Sequence, residues 1–268
     1  MRVNDTADKK SPARLIKWIA LGVVGLVVLA YAGIFIYTKI INDSPDKLDE
    51  TDLSEALETT TVPPPDGSET SDPAVTEPVS TESVEPAEST EERKSFDGDW
   101  IPTTASEFGY RVEEVIAGVS TTAVGRSNEI EGLLTIEGTT ATVVDVEVQI
   151  ANITSDDSRR DGRFSGAIMN STEFPTATFT ITEPIKFGAI PVDGGQVAAT
   201  ATGELTLRGV TNPVTFDVTA EVNNDLIGIL GSIPVVFADY GIDNPSFGAI
   251  KTEDEGLVEF VLVFEPAQ

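Results

Sequence analysis

No cysteine and no histidine occur in the 268 residues. The first absence excludes disulfides, thiolate metal sites and thiol nucleophiles. The second removes the commonest general base and the commonest transition-metal ligand. Positive charge is scarce as well: 17 Lys and Arg stand against 45 Asp and Glu, a net charge of −28. Nothing in such a chain neutralises phosphates along a duplex, so no nucleic-acid partner is expected. Apolar residues supply 40% of the chain, slightly low for one that is globular throughout. With thiol and imidazole chemistry gone, the expectation is a protein that is not an enzyme, with no cofactor and no metal.

What is present divides the chain into four stretches. Residues 1–17 are polar and carry Arg2, Lys9, Lys10, Arg14 and Lys17 against Asp5 and Asp8. Trp18 to Thr38 holds no charge, and the apolar run extends to Ile41, so 18–41 is predicted to be a transmembrane helix. Twenty residues or so at 1.5 Å each span roughly 30 Å, enough for a bilayer core. The basic flank places the N-terminus in the cytoplasm and everything after Lys39 outside it. A signal peptide cleaved after Ala32 is the competing reading, since Ala30-Tyr31-Ala32 has the small-x-small form; the run is longer than a signal needs, which favours a retained anchor. Residues 42–97 are rich in Pro, Thr, Ser and Glu, with Pro63-Pro64-Pro65 near the middle, and are expected to be a disordered acidic linker. As a flexible coil, residues 43–99 would reach about 40 Å.

From 98 to 268 the pattern has period two. Phe108, Tyr110 and Val112 alternate with Gly109, Arg111 and Glu113, and Val197 to Leu207 alternates with Thr200, Thr202, Glu204 and Thr206. Leu257 to Phe264 is apolar on both faces. About eight strands with short turns, such as Asp193-Gly194-Gly195 and Asn223-Asn224-Asp225, predict an all-β antiparallel sandwich or barrel. Small residues on inward positions (Gly132, Ala199, Ala201, Gly203, Ala220) favour a barrel with room inside. One connection is long, charged and partly helical: NITSDDSRRDGRFSGAIMNSTEFPTATFTIT, Asn152 to Thr182. Such an insert, carrying large apolar side chains, is expected to plug or lid a cavity.

Candidate site residues follow from this arrangement. Tyr110, Phe164, Ile168, Met169, Phe174, Phe179, Phe216 and Phe237 would line an apolar ligand pocket; the alternative is ordinary core. Arg159, Arg160 and Arg163 form a basic cluster in which one guanidinium would meet a ligand head group; alternatively they anchor the insert through ion pairs with Asp156, Asp157 and Asp161. Asp239 and Asp243, four apart with Glu253-Asp254-Glu255 following, are candidates for a paired-carboxylate site; the alternative is solvated acids in turns between strands. The stretch from Asp157 to Gly162 fails as a calcium loop, because Arg159 stands at a ligand position.

The residues Ser155, Arg160, Asp161, Phe174, Pro175 and Phe179, then GELTLRGVTNPVTFDV (Gly203 to Val218) and Phe247 in Ser246-Phe247-Gly248, resemble the YceI-like polyisoprenoid-binding family. Gly203, Leu205, Thr206, Gly209, Val210, Thr211, Pro213 and Val214 are the matching positions in the middle motif. Gly162-Arg163 departs from the family, in which a histidine commonly follows the Arg-Asp pair. The resemblance implies a lipocalin-like antiparallel β-barrel that encloses an isoprenoid or other long-chain lipid. A membrane-anchored lipid carrier outside the cytoplasm is therefore the expected function, and a structural or adhesive β-domain on a stalk is the alternative.

Overall fold

A computed structural model describes residues 12–36, 44–59, 95–192, 194–223 and 225–267. Three helices are used below: α1 (Pro12–Ile36), α2 (Glu50–Thr59) and α3 (Ser158–Arg163). The strands are β1 (Gly98–Pro102), β2 (Glu107–Ile116), β3 (Val119–Ser127), β4 (Ile130–Glu137), β5 (Thr140–Gln149) and β6 (Thr176–Ile181). They continue with β7 (Ile185–Lys186), β8 (Gln196–Leu207), β9 (Val210–Asn223), β10 (Leu226–Val236), β11 (Ile250–Thr252) and β12 (Glu255–Pro266).

Alternating apolar residues bury one face of each strand, and a ring of pairings then removes the sheet's edges. The order β1-β4-β5-β6-β8-β9-β10-β12 closes because β1 also pairs with β12, so eight antiparallel strands form a closed barrel. Of the two folds the period-two pattern allowed, the barrel is the one formed. The odd positions of β8 illustrate the rule, with Ala201, Leu205 and Leu207 buried inside while Thr200 and Glu204 face water. Tight turns at Ala117-Gly118 and Arg208-Gly209 join neighbouring strands with both central residues at positive φ, which suits the twist of a two-residue hairpin.

The β12 strand serves two partners along one edge. It pairs with β2 up to Val261 opposite Glu107, and with β1 from Phe264 opposite Pro102. Between them the Ser106 hydroxyl accepts from Val263 N at 2.9 Å and donates to Val263 O at 3.1 Å, so the ladder's hydrogen bonds continue across the switch. The hairpin β2–β3 extends past the ring and rejoins it where Arg126 and Thr154 form a bridge.

Two departures from the sequence reading concern the first hundred residues. The α1 helix starts at Pro12, inside the basic segment, and its window from Ile19 to Ile36 has a mean hydropathy of 2.6 with none of it buried. By length and composition it is able to cross a membrane or to serve as a signal sequence. Residues 1–11, and 37–41 of the expected span, lie outside the described residues, as do turn residues Asp193 and Asn224. The larger correction is at 44–59, expected to be unstructured. Residues 44–49 run as a strap across β3, β2 and β12 and lead into α2, whose Leu53 and Leu57 are completely buried. With Leu48 they pack on Leu226, Val261 and Val263, forming a second apolar cluster on the barrel's outer surface. That contact supplies the burial that composition alone did not reveal. The rest of the expected linker, 60–94, lies outside the described residues.

Candidate functional site

The insert closes one end of the barrel. After Thr154, Asp157 caps α3 by accepting from Arg159 N at 2.9 Å, and the chain then widens into a π-turn over Phe164–Ile168. The Phe164 ring is driven down into the barrel and stacks on Tyr110, with centroids 4.4 Å apart. Met169 is buried beside it and Ile168 packs at its edge. Asn170, at positive φ, turns the chain back, and Ile150 N donates to Pro175 O at 2.9 Å to seal the neck of the insert.

Beneath the insert lies a cavity of about 600 Å³. Its wall is almost wholly apolar and runs from Phe247, Pro245 and Ile250 at the insert end to Phe96, Ile185 and Phe187 at the other. An edge-to-face series of rings lines one side: Phe179 to Phe216 at 5.3 Å and Phe216 to Phe260 at 6.1 Å. Ala201 and Ala220 leave the space these rings do not fill. The volume falls within the range of small-molecule and lipid pockets, roughly 300–1,000 Å³.

The sequence candidates separate by position. Tyr110, Phe164, Ile168, Met169, Phe179, Phe216 and Phe237 all line the cavity. Phe174 does not: it precedes β6, and its ring covers Gly209, where an added Cβ would lie 2.5 Å from Phe174 Cε1. Of the inward small residues, Gly203 is filled by the Phe179 ring and Gly132 by the Asp145 carbonyl, so neither opens space. Asp239 and Asp243 are exposed and off the cavity wall.

Charges gather at the insert end. Arg159, 85% exposed, donates to Asp157 at 2.9 Å. That side-chain hydrogen bond, reinforced by the Arg159 backbone N–H, holds the Asp157 carboxyl down at about 2. Arg160 pairs with Asp156 and, at 3.5 Å, with Glu114. Burial disfavours the Arg160 charge, yet the carboxylates of Asp156 and Glu114 more than offset it and raise its pKa. Burial pushes Glu114 above the usual carboxylate range despite Arg160. Burial likewise takes Tyr110 up to about 12, so its phenol stays neutral. Asp161 is an anchor: its Oδ1 accepts from Ser155 N at 2.8 Å and from Ser155 Oγ at 2.6 Å. Arg159 and Arg160 line the mouth while engaged in these pairs.

Sequence reasoning did not select Glu114, nor did it identify the partner of Arg163. Glu114 continues the inward series 108, 110, 112, an acid on an apolar face that the alternation already marked. Arg163 donates to Pro245 O at 3.2 Å and lies 4.4 Å over the Phe247 ring, tying the insert to the loop before β11. Nothing in its spacing signals that partner, because the two segments are far apart in the chain.

The YceI-like domain family matches residues 100–264. A UPF0312 protein of Pseudomonas aeruginosa is 32% identical over 127 residues, 44% of this chain and 62% of that protein. Protein YceI of Shigella flexneri is 31% identical over 96 residues, 35% of this chain and 46% of its own length. The chain thus spans less than two thirds of the curated relatives it matches. Among solved structures, a polyisoprenoid binding domain from Saccharophagus degradans superposes with a TM-score of 0.52 at 16% identity, covering 63% of this chain and 98% of that one. At that identity the likeness establishes a shared fold.

Proposed function

Because the chain belongs to the YceI-like domain family, we propose that its barrel holds a long apolar lipid of the polyisoprenoid type and sequesters or carries it beside a membrane. The observation that carries this reading is the apolar cavity of about 600 Å³ beneath a pinned insert. A solved structure with the same fold is described as a polyisoprenoid binding domain, which supports a ligand of that class here. Tail burial supplies the affinity: about 0.8 kcal/mol per CH₂ is available in gross terms, so ten buried carbons contribute roughly 8 kcal/mol before the tail's ordering is subtracted. In this reading the role is binding rather than turnover.

In this reading α1 stays in the membrane as a single anchor through 18–41, with the N-terminus cytoplasmic and the barrel outside. The test is native mass spectrometry of the full chain, with lipid extraction, after gentle solubilisation from cells that make isoprenoids. A defined lipid adduct, lost in Ala201→Phe while the circular dichroism spectrum is kept, supports the carrier. An adduct-free chain that takes up no added polyprenol refutes it and favours the adhesive-domain alternative.

A further inference from the structure

The strap enters the barrel at a defined end. Ser44 donates its hydroxyl to Thr122 O, close to the β2–β3 turn at the insert end. Arg111 then donates to Pro45 O at 2.6 Å, Arg126 to Asp46 O at 3.2 Å, and Leu48 N to Glu259 at 3.4 Å. The α2 helix follows towards the far end, over Gly228, Val261 and Val263. The chain leaving α1 therefore reaches the barrel first at its insert end. Only residues 37–43 separate the end of α1 from Ser44, so even fully extended chain keeps Ser44 within roughly 30 Å of Ile36. Counted from Lys39, the first charge after the apolar run, the allowance is about 18 Å.

The same end carries the most exposed aromatic ring of the barrel. Phe247 is 67% exposed, lines the cavity mouth, and is held up by the Arg163 guanidinium. Charge does not draw this end to anionic lipid, since Asp156, Asp157 and Glu113 flank the arginines. The short tether and the ring are what hold it.

We propose that the insert end of the barrel, with Phe247 at its tip, faces the bilayer surface, and that lipid cargo passes between bilayer and cavity there without crossing bulk water. This rests on the lipid-carrier reading and on α1 being a retained anchor. The absence of cysteine makes the test direct. Single labels are placed by Phe247→Cys and, at the opposite end, by Val192→Cys, which is 80% exposed. Each full-length variant carries a nitroxide and is reconstituted in phosphatidylcholine vesicles, and collision with oxygen and with an aqueous nickel chelate is read by electron paramagnetic resonance. The label at 247 is expected to show interfacial depth and the label at 192 to stay aqueous. A second chain carries a twenty-residue Gly/Ser spacer between Asn42 and Asp43, which adds roughly 25 Å of mean reach ahead of an intact strap. That spacer should return the 247 label to water and slow extraction of a dansyl-labelled polyprenol from the vesicles by about tenfold. Uptake of the same polyprenol from detergent micelles should be unchanged. Two aqueous labels, or vesicle extraction indifferent to the spacer, overturn the orientation and leave the carrier intact. No polyprenol uptake from either source by the unmodified chain overturns the carrier, and the transfer route with it.

Discussion

Replacing Leu53 by alanine separates the strap's docking from the barrel's own folding. The Leu53 side chain has no exposed surface, and its tip sits over Gly228, where a Cβ would lie 2.6 Å from Leu53 Cδ1 and 2.9 Å from Leu57 Cδ1. Truncating such a leucine costs about 2–5 kcal/mol, depending on how far the site collapses. A ten-residue helix is marginal in water by itself. The loss therefore falls on docking, and the undocked fraction of α2 rises about thirty-fold to a few thousand-fold, at tenfold per 1.4 kcal/mol. Hydrogen–deuterium exchange by mass spectrometry reads this directly: peptides covering 48–59 should exchange faster by that factor, while peptides from β8 and β9 keep their protection. Glu55→Ala, on the exposed side of the same helix, should change α2 exchange by less than about 0.5 kcal/mol equivalent. Unchanged exchange at 48–59 in Leu53→Ala refutes the docking argument. So does a loss of protection spread evenly over the barrel, because it would make the strap part of one cooperative core.

Three further outcomes follow from the charged and capping groups. Glu259, with no exposed side-chain surface, bridges Arg111 at 3.2 Å and Arg126 at 2.7 Å beneath the strap, so Glu259→Ala leaves the Arg111 guanidinium without a carboxylate and Arg126 with Glu107 alone at 3.2 Å, and should destabilise the chain by about 3 kcal/mol in denaturant unfolding; a loss under 1 kcal/mol would mean water screens the cluster. Asp157→Ala removes the α3 cap and should cost about 1 kcal/mol, whereas Asp157→Asn keeps the cap, loses only the exposed pair with Arg159 and should cost a few tenths; equal losses would assign the effect to charge rather than capping. The pH dependence has two opposite signs. Asp157 is held below its usual 3.8, so its contribution is present above 3.8 and is lost as pH falls through that value towards about 2. Glu114 is raised above 4.5, so the fold favours its neutral form and its contribution declines as pH rises from 4.5 through its folded value. The melting temperature of Glu114→Gln relative to the parent should therefore climb between pH 4.5 and 7, and a flat difference would show that Glu114 ionises without penalty.

The inward faces of the barrel were legible because period two is local: Val197 to Leu207 states its buried side without reference to any partner. Closure was not local. It depends on Trp100 meeting Pro266 and Pro102 meeting Phe264, pairings that join the two ends of the domain, and no pattern within either strand specifies them. Small residues gave a correct hint for Ala201 and Ala220, but Gly203 and Gly132 are small because a ring and a carbonyl approach them. Residue size alone cannot distinguish space left open from space already taken. Phe174 went astray for a related reason. An aromatic residue before a proline marks the entry to a strand, but its ring lies outside the alternation that assigns faces, and the left-handed Gly209 offered it a seat on the rim.

The strap was written in the sequence in two halves, each weak alone. One half is β12, apolar on both faces where a barrel strand needs only one; Phe260, Leu262 and Phe264 serve the interior, and Val261 and Val263 are left facing out. The other half is a helix start inside an acidic run. Asp49 accepts from Thr51 N at 2.7 Å while its own N–H donates to Asp52 at 2.8 Å, a reciprocal cap followed at once by Leu53 and Leu57 one turn apart. Composition averaged over 42–97 hides three leucines among Pro, Thr and Glu, so the stretch reads as a tether of about 40 Å. Once 44–59 is docked, that length no longer sets the spacing between α1 and the barrel. Residues 60–94 join two segments that both lie on the barrel, Thr59 at the end of α2 and Phe96 in the core, so their length governs only a closed excursion of the chain. With α1 retained as an anchor, as proposed, the distance from bilayer to barrel would be bounded by residues 37–43 alone, and a domain that reads as swinging on a long stalk would be held within a few nanometres of the surface.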